Sequence, residues 1–241
     1  MKFKMKTKII FMLLIAMAFV SQSCFHSYRI EGNCNVITVH RSVGEFTGVD
    51  SRGSLDVRLI DDTACYVEVE GESNLIPYID TDVHNGVLEI EVQGWRNLDP
   101  NYPLVIYVHA PLINKVELSG SGSIMSDSLH AQHMDVGLSG SGDINLKVQA
   151  SSIDANISGS GDISLSGSAT SADFKISGSG DIHAYSFPVS ECMADISGSG
   201  SMYLNVSTLL DVVISGSGNV HYYGNPTVNV NVLGSGQVIH H

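Results

Sequence analysis

From Val116 onward the chain alternates apolar and polar residues with a period of two, and a short glycine–serine run breaks that alternation at regular intervals. Before each break stand Leu118, Leu138, Ile157, Ile176, Ile196, Ile214 and Val232. Two residues further back stand Val116, Val136, Ala155, Phe174, Ala194, Val212 and Val230. Just after each break come Ile124, Ile144, Ile163, Ile182, Met202, Val220 and Val238. Strict alternation is the period of a strand with one buried face. The break is Ser-Gly-Ser-Gly at Ser119, Ser139, Ser158, Ser177, Ser197 and Ser215, and Leu233-Gly234-Ser235-Gly236 in the seventh copy.

The glycines fall in pairs: Gly120 and Gly122, Gly140 and Gly142, Gly159 and Gly161, Gly178 and Gly180, Gly198 and Gly200, Gly216 and Gly218, Gly234 and Gly236. The first members lie 18 to 20 residues apart. A fixed period of that size predicts a solenoid, in which each coil buries its apolar side on the next. Each motif is then a bend between two short strands, where glycine supplies left-handed backbone angles and lets coils approach closely. The expected fold is all-β, a single-stranded parallel β-helix with 18–20 residues per coil. The chirality of parallel crossovers favours a right-handed one.

Four segments follow. Residues 1–23 have a basic start (Lys2, Lys4, Lys6, Lys8) and an apolar run from Ile9 to Val20, the proportions of a signal peptide. Val20-Ser21-Gln22-Ser23-Cys24 is a loose lipobox, which makes Cys24 the lipidated residue; plain secretion is the alternative. Residues 24–35 read as a tether. Residues 36–110 read as atypical coils and a cap, with strands at 36–40, 46–51, 55–61, 65–70, 76–82, 87–93 and 104–110. Residues 111–241 read as the regular helix, continuous with that cap. Gly48 to Leu55 is a degenerate first copy of the motif. The insertion from Gly94 to Pro103 reads as a loop carrying Trp95, which either contacts a ligand or folds over the end of the core.

Charge narrows the partners. The formal net charge is −13, and loss of four lysines with the leader takes it to −17. This excludes nucleic acid and leaves a lipid anchor, not a basic patch, as the route to a membrane. Of the cysteines, Cys34 and Cys65 could pair if their strands are neighbours, and Cys192 faces the interior. Polar columns accompany the corners: Ser123, Asp143, Asp162, Asp181, Ser201, Asn219 and Gln237 in one, and Asp135, Asp154, Asp173, Met193, Asp211 and Asn229 in another. Stacked carboxylates repel unless solvent or a cation intervenes. Asp143, Asp162 and Asp181 are therefore candidate ligand or calcium contacts, solvated turn aspartates being the plainer reading. His130 with His133, and His183 with His221, do not present a transition-metal set, so no metal or other cofactor is expected. A repeated ladder gives its carboxylates equal environments, whereas acid–base catalysis needs them unequal, so no catalytic residue is assigned.

The Gly-Ser-Gly-Asp-Ile block, above all Gly140-Ser141-Gly142-Asp143-Ile144-Asn145, resembles the bacterial auto-transporter adhesin head domain of GIN type. So do Phe46-Thr47-Gly48-Val49-Asp50, Val67-Glu68-Val69-Glu70-Gly71 and Gly86-Val87-Leu88-Glu89-Ile90. The resemblance covers about residues 36–240. It implies a parallel β-helix, export, and attachment to the surface of a Gram-negative, Bacteroides-like bacterium, and it brings no catalytic residues. The expected function is a non-catalytic surface lipoprotein that binds a glycan, matrix protein or envelope partner. A self-associating structural component, with the chain as a homo-oligomer, is one alternative; a carbohydrate-active enzyme is the other.

Overall fold

The computed structural model describes residues 28–94 and 96–241. The signal segment, Cys24 and Trp95 lie outside the described residues. The chain forms β1 (Tyr28–Glu31), β2 (Val36–Ser42), β3 (Gly48–Gly53), β4 (Asp56–Asp61), β5 (Tyr66–Glu72), β6 (Ile79–His84), β7 (Val87–Val92), β8 (Arg96–Asp99) and β9 (Val105–Ala110). The repeats follow as β10 (Lys115–Gly120), β11 (Ser123–Gly140), β12 (Asp143–Ile157), β13 (Ile163–Ser168), β14 (Ser171–Ile176), β15 (Ile182–Ile196), β16 (Met202–Ile214), β17 (Val220–Tyr223), β18 (Thr227–Val232) and β19 (Val238–His240).

Parallel pairing stacks equivalent residues. One column runs Leu88, Val49, Val116, Val136, Ala155, Phe174, Ala194, Val212, Val230. Another runs Ile106, Val57, Ile124, Ile144, Ile163, Ile182, Met202, Val220, Val238. Nearly all of these side chains are buried, and each large aliphatic one contributes about 1.5–3 kcal/mol. The result is a β-solenoid of about seven turns with one continuous core.

The corners stack as well. Ser141 N–H donates to Gly120 O, Ser160 to Gly140, Ser179 to Gly159, Ser199 to Gly178, Ser217 to Gly198 and Ser235 to Gly216, all at 2.8–3.0 Å. The degenerate copy joins beneath them, since Ser121 N–H donates to Gly53 O at 2.9 Å. Only Gly120 (φ +145°) and Gly140 (φ +140°) among the seven motif pairs use backbone angles that disfavour a side chain. At the others contact is the constraint. A Cβ on Gly159, Gly178, Gly198 or Gly216 would press directly on the backbone of the glycine one coil below.

The N-terminal part departs from a simple run of coils. The coil built from β7 and β9 lies outside the one built from β3 and β4, so spatial order is not chain order. Three antiparallel pairings, β2 with β5, β5 with β9 and β6 with β7, then cover that end. The segment expected to be strand from 76 starts with a turn of 3-10 helix at Ile76–Tyr78, where Pro77 has no amide to give a ladder; β6 begins only at Ile79. The segment read as a tether and the insertion read as a loop each contain a short strand. β1 and β8 pair in parallel, with Arg29 bonded to the Asp99 carboxylate. Cys34 and Cys65 are free. They sit at opposite ends of the β2–β5 pair, where Val36 faces Glu72 and Ser42 faces Tyr66.

Candidate functional site

The polar file at the corners is first a structural clamp. Asp181 N–H donates to Asp162 Oδ1 (2.8 Å), Ser201 N–H to Asp181 Oδ1 (2.6 Å), Asn219 N–H to Ser201 Oγ (3.3 Å) and Gln237 N–H to Asn219 Oδ1 (3.0 Å). Short side chains reach the next coil's amide because the corner leaves that amide without a ladder partner. At the start of the file Ser123 Oγ donates to Asp56 Oδ1. Asp143 is exposed, and its amide bonds Gly122 O. Asp162 and Asp181 are half-buried, and with His183 they bring three potential ligand atoms within 4.8 Å of one another; Asp143 stands apart from this group.

His183 opens a second feature beside the file. Its ring stacks on Tyr203 (centroids 4.9 Å apart, planes 12°), Tyr203 stacks on His221 (5.0 Å, 8°), and His221 meets His241 (5.2 Å, 33°). His221 Nδ1 and His241 Nε2 are 2.9 Å apart. Tyr185 closes edge-on against Tyr203 (5.5 Å, 76°) and tilts against Tyr223 (4.6 Å, 48°). Rings stacked along the solenoid axis cover one another's faces and leave their edges for a ligand, except where His221 Nδ1 and His241 Nε2 meet. Burial, then the neighbouring His241 ring, lowers the pKa of His221, against the pull of Asp181. Desolvation raises the Tyr185 phenol. Two carboxylates and six aromatic rings thus share one strip over the C-terminal coils, rich in donors and acceptors on a rigid base.

Sequence spacing put His183 and His221 on one file but missed Tyr185. Register shifts between Ala184 and Pro188, so counting by twos fails there.

The other candidates are dispersed. In the second acidic column Lys175 Nζ bonds Asp173 at 2.7 Å, while Lys115, one coil below Asp135, pairs with Glu117 at 3.0 Å. His130 faces Asp61 at 3.6 Å, while His133 bonds Ser152 Oγ at 2.9 Å, so the two do not converge. On the cap, His109 Nδ1 lies 3.0 Å from Asp62 Oδ2, but its Nε2 faces Glu68 at 3.9 Å and not a nucleophile. In the insertion, the Arg96 guanidinium lies 4.9 Å over the Tyr78 ring, beside a cleft of about 460 Å³ lined by Leu55, Leu98 and Leu104.

Glu72 went unnoticed in the sequence. It is fully buried, yet accepts hydrogen bonds from the amides of Cys34, Asn101 and Tyr102 and from the Asn101 side chain. Burial alone would raise its pKa; those donors outweigh it and hold the carboxyl below the ordinary glutamate value. It ties β2's lead-in to the insertion.

The family described as "Putative auto-transporter adhesin, head GIN domain" matches residues 45–226, three-quarters of the chain. The chain belongs to that family. This GIN-domain protein also resembles solved structures. A "putative adhesin" from Bacteroides fragilis superposes with TM-score 0.80 at 20% identity, covering 88% of this chain and 100% of that one. A "putative lipid binding protein" from Parabacteroides distasonis gives 0.73 at 25%, covering 88% and 99%. A "putative adhesin" from Parabacteroides merdae gives 0.70 at 23%, covering 89% and 100%. No curated protein matches the GIN-domain chain.

Proposed function

We propose that this is a non-catalytic binding protein of the bacterial surface, held in the outer membrane by lipid on Cys24, and that the C-terminal strip is its contact face for a glycan or a protein partner. The observation that carries the reading is the clustering of Tyr185, Tyr203, Tyr223 and three histidines beside Asp162 and Asp181 on one outward face. Aromatic rings and carboxylates side by side suit sugar hydroxyls and polar protein surfaces, and stacked coils hold them without the entropy cost of a mobile loop. Family membership supports a surface location.

The test is binding of the exported chain to glycan and matrix-protein arrays, with and without calcium. A ligand lost in the paired variant Tyr185→Ala, Tyr223→Ala and kept in Asn145→Ala, on an exposed site of an earlier coil, supports the strip. A ligand that binds both variants equally removes it.

A further inference from the structure

The two ends of the solenoid are finished differently. At the N-terminal end, antiparallel strands cover the first coil, and the outermost of these carry charge: Arg41 on β2, Asp80 and Asp82 on β6. Charged residues of this kind keep an edge strand from pairing with a neighbour. At the other end, β18 reads Thr-Val-Asn-Val-Asn-Val, with no charge and no proline. Among the described residues β18 pairs only with β16. Even the carboxylate beneath it is covered, because Asn229 Nδ2 donates to Asp211 Oδ1 at 2.7 Å. Val230 (52% exposed) and Val232 (38%) continue the core columns, and nothing among the described residues covers them; Leu233 (73%) adds apolar surface on the outward side of the corner.

The backbone at this edge has a definite parity. Leu233 N–H donates to Ile214 O, so the odd residues of β18 turn their amides toward β16. Val228, Val230 and Val232 therefore turn both N–H and C=O toward the open side, and their side chains stand in the core columns. We propose that a second copy of the chain covers this edge, β18 pairing antiparallel with β18 of the partner about a twofold axis at Val230. Val230 then faces the partner's Val230, and Val228 faces the partner's Val232. Each of these pairs exchanges two backbone hydrogen bonds, and the valines of both copies close one core. The arrangement is self-complementary and stops at two copies, since the opposite ends are covered. It does not depend on the ligand-binding reading: one is read as mass, the other as array binding.

Sedimentation of the exported chain, carrying Cys24→Ser to remove any lipid, tests it. Concentration-dependent dimer is expected. Val230→Lys places two ammonium groups face to face and should raise the dimer dissociation constant at least about tenfold, while Asn145→Lys, the same charge on another coil, leaves it unchanged. If Val230→Lys lowers the melting temperature, Val230→Cys in a Cys34→Ser background serves instead, and mild oxidation should link two copies. A monomer at every concentration, a ladder of higher oligomers, a dimer indifferent to Val230→Lys, or a Val230→Cys protein that stays unlinked overturns the proposal.

Discussion

Gly178→Ala isolates the force that spaces the coils. Gly178 has an ordinary backbone conformation, so alanine adds no dihedral strain there. The added Cβ would lie 2.8 Å from both the C and the N of Gly159, and closer still to its carbonyl oxygen. These are main-chain atoms, and Ser177 N–H to Ile157 O and Ser179 N–H to Gly159 O, each 2.8 Å, hold them in place. Relief requires the coils to part locally. Overpacking costs about 1–3 kcal/mol, and each weakened backbone bond adds about 1 kcal/mol. A loss of about 3–5 kcal/mol follows, which for a domain of this size lowers the melting temperature by about 6–20 °C. Gly137→Ala is the internal control. Its Cβ would meet only the flexible Glu117 side chain, at 3.4 Å. Removing freedom from the unfolded chain there should stabilise by about 0.4–1 kcal/mol. Thermal and urea unfolding followed by far-UV circular dichroism measures both. Equal effects of the two substitutions would refute the idea that backbone contact, and not sequence habit, requires glycine at the corners.

Other consequences are open to test. Phe174 sits between Ala155 and Ala194 in its column, so Phe174→Ala leaves a void its neighbours cannot fill; urea unfolding should show a loss of about 3–5 kcal/mol. The Glu72 pKa is depressed on folding, so its contribution is complete above the ordinary glutamate value near 4.5 and disappears as pH falls through the lower folded value. Hydrogen exchange at residues 32–35 and 99–102 should accelerate over that acid range, and Glu72→Gln should be fast already at neutral pH. Burial pushes the Cys192 thiol up to about 12, so a thiol reagent at pH 8 should label exposed Cys34 in the native protein and reach Cys192 only on unfolding.

The repeats were legible because each coil states the same rule. Alternation assigns Val136, Ile144 and Ile157 to the interior, and the spacing of the glycine pairs sets the register. The cap was legible as an atypical end piece, but its strand directions were not. Its strands alternate like the coils, but Val67 and Val69 pair antiparallel with residues some forty positions away, and periodicity carries no strand direction. β1 and β8 were hidden for a related reason. Arg96–Asp99 has loop composition, and its partner lies 68 residues earlier, at Tyr28–Glu31. Within the site, the file Asp162, Asp181, Ser201 was visible as a column. Its work as an acceptor of the next coil's amide was not, because that depends on which amides the corner leaves unpaired.

The same physics links the corners to the strip. Coils held at backbone contact must repeat at the spacing of hydrogen-bonded strands, about 4.8 Å, and that is close to the distance at which flat rings stack. A residue type placed on one outward position in successive coils therefore becomes a continuous array without any further design. Lysines there would repel and alanines would present nothing; His183, Tyr203 and His221 present aligned polar edges. Function can then change by substitution at the outward ring positions while Gly159, Gly178 and Gly198 stay fixed, since the rings do not set the backbone contact that spaces the coils. On this argument Tyr203→Ala should open the stack at both of its neighbours and weaken ligand capture, at a cost in stability of about 1 kcal/mol, well below that of Gly178→Ala. A melting temperature as low as that of the glycine variant would show instead that the rings help to hold the coils together.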